Sequence, residues 1–200
     1  MAKITKVEIL KFASQFLEEV GIKNFSMRNL GKKLGLDPMA IYHYFPSKDV
    51  LISECIQSNF EKFIFKESQL AKKSKKNLKT RKFAKRKFDE YKFQNLYNLI
   101  GSYRQFFLTY PNACLYLLNH GYENIPNLSE YNEALIQEIL NLDGEISNAT
   151  LIRDVLVDYL HGYSIGDIVS QRKTSSKRKE SERRFDISLE FLIQRLFSKL

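Results

Sequence analysis

FSMRNLGKKLGLDPMAIYHYF, residues 25–45, is the stretch on which the fold turns. Ser26 can cap a short helix that runs to about Leu34. Asp37 followed by Pro38 is a capping residue with proline at the first helical position, so a second short helix starts there. Between the two, Gly35 tolerates the positive φ of a tight turn. Gly31, four positions earlier, is the small residue that lets two helices cross closely at a steep angle. Leu30, Leu34, Leu36, Ile41 and Tyr44 stand where apolar side chains must fill the space between them, and Phe45 seals the unit against the helix before it. This order of small residue, turn glycine and apolar plugs spells a helix-turn-helix.

Outward from this stretch the helical pattern continues. Val7, Leu10, Phe12, Ala13, Phe16, Leu17 and Val20 cover one face of a first helix, which Gly21 stops. Ser47-Lys48-Asp49 opens a fourth helix carrying Val50, Leu51, Cys55 and Ile56 past Phe60. Residues 72–87 then hold ten Lys/Arg and no acid. An amphipathic helix resumes from about Phe88 to Tyr110, Pro111 ends it, and a short apolar helix follows to about Asn119. Further helices are expected near 129–142, 147–171 and 182–199, with a polar loop from Lys173 to Glu180 before the last. Nothing reads as a strand pair, and the chain holds only 8 Gly and 4 Pro, so the expected class is all-α.

The composition bounds the function. Hydrophobic residues make up 44% of 200, enough for a packed core and too many for general disorder. Residues 1–100 carry 21 Lys/Arg against 10 Asp/Glu, and residues 101–200 carry 11 against 13. A basic front half beside a nearly neutral rear half suits a polyanionic partner for the front. Cys55 and Cys114 lack metal-ligand spacing and are expected as small buried hydrophobes in a reducing cytoplasm. No stretch reaches the length of a membrane span, and the start lacks a signal-peptide apolar core; a cytoplasmic protein with no membrane partner is expected. His43, His120 and His161 lie far apart in sequence, and no nucleophile stands beside a partner base, so an enzyme is not expected, nor any cofactor or metal.

Phe25-Ser26-Met27-Arg28 through Leu34-Gly35-Leu36, then Ile41-Tyr42-His43-Tyr44-Phe45 and Ser47-Lys48-Asp49-Val50-Leu51, resembles the signature of the TetR family of transcriptional regulators over about the first 55 residues. The remainder is similar to that family in its helix pattern and in His161-Gly162. The resemblance implies a three-helix DNA-binding domain over 1–48 and a helical effector-binding and dimerisation domain over 49–200. It implies that Pro38 to Tyr44 enter the major groove of operator DNA. Met39 and Ala40 would touch base edges, Tyr42 a phosphate, and His43 a base or the backbone, and Tyr44 at the end of the helix also counts among the DNA contacts. On the preceding helix Met27 would also contact DNA and Arg28 would reach a guanine edge, and Ser26 and Lys48 would bind phosphates. Asp37 is better read as a cap, since a carboxylate near phosphate is repelled. The basic run 72–87 has two readings, extra phosphate contacts or a solvated extension of the fourth helix.

Two further sites follow from the resemblance. Tyr103, Phe107, Tyr110, Tyr116 and His120 are candidates for the lining of a pocket for a small, mostly apolar effector, against the plainer reading that the aromatic stripe is core. Val155, Tyr159, Gly162, Tyr163 and Gly166 on one helix, with Phe185, Leu189, Leu192 and Leu196 on the last, are candidates for a four-helix homodimer interface. The function so implied is a repressor released from a palindromic operator by a small molecule. An activator or effector-independent regulator on the same fold stays open, as does a basic protein binding nucleic acid without sequence preference.

Overall fold

The computed structural model describes residues 4–74, 90–122, 124–143, 145–170 and 175–197. Among them it is all helical: α1 Lys6–Asn24, α2 Met27–Leu34, α3 Pro38–Tyr42, α4 Lys48–Ser74, α5 Glu90–Thr109, α6 Pro111–His120, α7 Pro126–Asp143, α8 Ile146–Val169 and α9 Ser175–Leu196. The basic run 72–87 lies outside the described residues except for its first three. One compact unit comprises Met1–Leu70 with Tyr110–Ser129, the other Ala71–Thr109 with Glu130–Leu200. The first unit takes in α6.

In the first unit, local chemistry sets the helix ends. Thr5 and Glu8 form a reciprocal capping box at the start of α1, satisfying two amides that would otherwise lack partners. Gly21 breaks the helical path at φ 75° and ψ 163°, and one last turn follows to Asn24. Ile9, Ala13, Leu17, Phe25, Leu30, Ile41, Phe45, Leu51 and Ile52 form a closed core. Each fully buried large aliphatic or aromatic side chain there contributes roughly 1.5–3 kcal/mol. A buried Ser14–Asn59 hydrogen bond of 2.7 Å ties α1 to α4. Cys55 and Cys114 are free and buried, and burial pushes both thiols up to about 12, far from the thiolate state that reacts.

In the second unit, α8 packs on α5 and α9. Its core is aromatic: Tyr103 and Phe107 lie with ring centroids 4.7 Å apart, and Tyr103 and Tyr131 5.3 Å apart. A buried ion pair runs between α5 and α8, Arg104 Nη2 to Asp167 Oδ2 at 2.6 Å, with side chains 7% and 8% exposed. Ser181 of α9 donates to the other oxygen of Asp167 at 2.5 Å. The Arg104 guanidinium lies 4.4 Å from the centroid of Phe185. Helix α9 begins at Ser175, so 175–180 is helix where a loop was expected. That polar segment supports itself with Glu180 paired to Arg183 and Arg184 at helical spacing.

Candidate nucleic-acid interface

The turn between α2 and α3 is built as its residues require. Gly35 adopts φ 67° and ψ 30° as the left-handed C-cap of α2, a conformation that disfavours any side chain. The Leu36 amide donates to the Gly31 carbonyl at 2.9 Å. A Cβ on Gly31 would stand 2.9 Å from the Leu36 carbonyl oxygen, so only glycine allows that approach. Ser26 Oγ accepts from the Asn29 amide at 3.1 Å, and Asp37 Oδ1 accepts from the Met39 amide at 2.7 Å. The cap readings of both residues thus have their geometry. Leu30 and Ile41 are buried between the helices, which leaves one outer face formed by α3 and the start of α2.

That face carries exposed, chemically varied side chains. Met39 is 71% exposed and Tyr42 42% exposed, unusual values for large apolar groups beside a closed core. His43 is exposed with its ring edge-on to Tyr44 at 5.5 Å. Arg28 is exposed at the second position of α2, while Ala40 and Pro38 are placed at its margin, Pro38 exposed less than Met39 and Ala40 half-buried. Lys32 and Lys33 add exposed positive charge nearby in sequence, although Lys33 is paired with Glu19.

Three expected contact residues are placed otherwise. Met27 is only 4% exposed and belongs to the core, so its side chain cannot reach a groove; as the first residue of α2 it turns inward behind the Ser26 cap. Tyr44 is half-buried, and its hydroxyl donates to the Ile4 carbonyl at 2.9 Å. Lys48 is half-buried and donates from Nζ to the Ile22 carbonyl at 3.2 Å, just after the break at Gly21. Both side chains are tied to backbone carbonyls of the N-terminal segment. Asn29, exposed beside Arg28 and donating to the Asn24 carbonyl at 3.3 Å, went unremarked in the sequence; its place after a capping serine is the signal that could have found it.

The pocket candidates divide between the units. Tyr103 and Phe107 are buried in the second unit. Tyr110, Tyr116 and His120 belong to the first. There the Tyr116 hydroxyl meets Ser53 Oγ at 3.3 Å, and His120 stacks on the Tyr116 ring at 4.2 Å. His161, which was not among the pocket candidates, also belongs to the second unit. Its ring lies 5.9 Å from Tyr103 and 5.2 Å from Phe107.

The dimer candidates divide by depth. Phe185 and Leu189 are fully buried in their own unit, with Phe185 against Tyr159 and Tyr163, so they offer nothing to a partner. Helix α9 turns that stripe inward because Arg104 and the α8 tyrosines need an apolar cover. Tyr159 bonds to the Phe185 carbonyl at 3.2 Å and Tyr163 to the Ser181 carbonyl at 3.4 Å, each donating from its hydroxyl. The outward apolar residues of α9 are Ile187 and Phe191, and those of α8 are Leu151 and Val169. Gly162 and Gly166 have open space where a Cβ would stand.

Among the described residues no group of His, Cys, Asp or Glu is arranged to hold a metal, and no helix is long and apolar enough to cross a membrane.

Comparison with known proteins agrees with this geometry. Residues 9–55 match the family of bacterial regulatory proteins, tetR family. No curated protein matches the sequence. Among solved structures, the chain is similar to a variant of TetR from Acinetobacter baumannii AYE in complex with minocycline, at 19% identity and a TM-score of 0.65, covering 96% of this chain and 95% of that one. It is similar to BioQ with its double-stranded DNA operator, at 16% identity and a TM-score of 0.68, over 98% and 99% of the two chains. It is also similar to the Streptomyces coelicolor TetR family protein ActR in complex with (S)-DNPA, at 15% identity and a TM-score of 0.67, over 99% of both. Residues 9–55 thus carry the sequence pattern of the tetR family, and the described helices share the fold of these solved structures.

Proposed function

We propose that the protein is a sequence-specific transcriptional repressor that binds a palindromic operator as a homodimer and leaves it when a small molecule binds the second unit. The observation that carries the reading is the outer face of the helix-turn-helix. Met39, Tyr42, His43 and Arg28 stand exposed on it above the buried Ile41. An apolar tip, a phenol, an imidazole and a guanidinium are a set suited to thymine methyls, phosphates and guanine edges. In this reading Tyr42 anchors the backbone, Arg28 and Met39 read bases, and Ser26 supplies a phosphate contact beside its cap.

Dimerisation supplies the second half-site. Leu151, Gly162, Gly166 and Val169 share one side of α8 by their spacing, and Phe191 on α9 is 58% exposed. Two glycines with open space above them allow close approach of a second copy's helices. A two-fold pair would place two α3 helices in successive major grooves about 34–36 Å apart. Effector release is supported by the ligand complexes among the similar structures, minocycline in one and (S)-DNPA in the other. It needs a ligand whose affinity for the two conformations differs by a few kcal/mol.

Selection of bound duplexes from a random library tests this function. A recovered palindrome with half-sites about one helical turn apart supports it. Recovery without sequence preference returns the protein to the class of nonspecific basic binders.

A further inference from the structure

Helix α6 is tied to two other helices of the first unit. Toward its C-terminal end the Tyr116 hydroxyl lies 3.3 Å from Ser53 Oγ of α4 and donates to the Asp49 carbonyl at 3.5 Å. At its start the hold is made by Asn112. The backbone amide and the side-chain amide of Asn112 both donate to Glu18 Oε2 of α1, at 3.3 and 3.1 Å, and the side-chain amide also reaches the Glu18 carbonyl at 3.4 Å. Gly21, where α1 breaks, stands so close that a Cβ there would lie 3.4 Å from Asn112 Oδ1. From that break the chain runs through Phe25, whose amide donates to the Gly21 carbonyl, into α2. The end of α1 that α6 grips is therefore the end that carries the helix-turn-helix.

This grip depends on the charge of Glu18. Its second oxygen, Oε1, is buried without a hydrogen-bond partner among the described residues, a costly place for an ionised carboxylate. The groups around it bring no compensating cation. The Tyr110 hydroxyl before α6 and the Cys55 thiol of α4 are its titratable neighbours, both held neutral by burial. On α6, Cys114 is also held neutral by burial, and Tyr116 and His120 stack on each other. Glu19 of α1 is paired with Lys33 of α2, and Glu54 of α4 with Lys6, while Lys62 of α4 bears on Cys55. Hydrogen bonds from Asn112 and the Ala113 amide favour the carboxylate, but burial outweighs them and raises the Glu18 pKa from 4.5. With α6 lifted off, the carboxyl would regain water and its ordinary value. The docked form therefore holds the proton more tightly, and proton uptake favours docking.

We infer that the seam between α1 and α6 is a proton-operated latch on the helix-turn-helix unit, closed when Glu18 carries a proton and loosened when Glu18 is ionised. A proton removes the buried charge and leaves Oε2 to accept from Asn112. The latch goes beyond the operator reading and does not rest on it.

Hydrogen–deuterium exchange on the full chain without DNA tests the inference. Helix α6 spans ten residues, too few to persist alone in water, so each undocking opens its amides to exchange. After correction for the intrinsic pH dependence of exchange, protection of residues 111–120 should rise severalfold from about pH 7.5 to about pH 5. Residues 55–60 of α4, in the same unit, should change by less. Glu18→Gln keeps an acceptor for Asn112 without the charge, so it should show the acid level of α6 protection at both pH values. In the unmodified protein the carboxyl carbon resonance of Glu18 should titrate with the same midpoint as the change in protection. Protection of 111–120 that ignores pH, the same pH dependence in Glu18→Gln, an equal rise over 55–60, or a Glu18 midpoint away from that change would overturn the inference. Because DNA is absent, such a failure leaves the operator reading standing, and a failed operator selection leaves the latch standing.

Discussion

Glu18 of α1 accepts hydrogen bonds from both the backbone and the side-chain amide of Asn112, at 3.3 and 3.1 Å. Asn112 is the second residue of α6, so the carboxylate caps that helix where its dipole favours negative charge. One oxygen, Oε1, is buried without a hydrogen-bond partner among the described residues. Burial raises the Glu18 pKa above its ordinary 4.5, and the hydrogen bonds from Asn112 only partly offset this. Between 4.5 and the raised value the folded chain holds the proton more tightly than the unfolded one. Stability from this group is therefore fully present below the ordinary value and is lost as pH rises through the raised one. Glu18→Gln should lose this dependence and melt no lower than the parent at neutral pH, as followed by circular dichroism.

His161 works in the opposite direction. Burial lowers its pKa from 6.5, so the unfolded chain takes up the proton first as pH falls. Stability should decline below its ordinary value of 6.5 until the folded-state value is passed. His161→Phe should flatten that acid limb in the same melting experiment.

The α2–α3 turn should tolerate no side chain at Gly31. Its Cβ would meet a backbone oxygen at 2.9 Å, which gives way only by moving the turn. Gly31→Ala should destabilise the protein by about 1–3 kcal/mol in chemical denaturation. A Cβ at Gly35 meets no atom within 4 Å, so Gly35→Ala should cost about 1–2 kcal/mol through backbone conformation alone.

On the outer face, Tyr42→Ala should weaken binding to every duplex alike. Arg28→Ala should cost about 1–3 kcal/mol at one base position and relax the choice there. Fluorescence anisotropy with single-position operator variants separates the two patterns. Tyr44→Phe, which breaks a hydrogen bond to Ile4, should lower stability with little change in the choice of base.

If α8 and α9 form the dimer interface, the exposed residues carry it. Phe191→Asp should shift the protein toward a 23.5 kDa species in sedimentation at micromolar concentration. Phe185→Ala should instead cost about 3–5 kcal/mol of folding stability, because that ring is buried inside one protomer.

What could be read from the sequence was what local chemistry writes. The capping of α2 and α3 by Ser26 and Asp37, the turn at Gly35 and the close approach at Gly31 all depend on residues within a few positions of one another. Depth was harder to read. Met27 follows a capping serine and looks solvent-facing, yet the position turns inward, and Tyr44 and Lys48 end on backbone carbonyls far away in sequence. The polar start of α9 lacks apolar periodicity, so it resembled a loop; its helix is supported by Glu180 and Arg184. Arg104 and Asp167 stand 63 positions apart, and no pattern in either helix announces their pairing. With that ion pair unseen, the inward turn of Phe185 could not be foreseen.

The most direct test of the central claim is the affinity of the purified protein for a selected duplex against the same duplex with both half-sites shuffled, measured across a range of salt. Specific reading by two α3 helices predicts a ratio of roughly 1,000 or more that persists as salt rises, while both affinities fall. A ratio near one at every salt concentration would contradict the account and leave only attraction between a basic surface and phosphate.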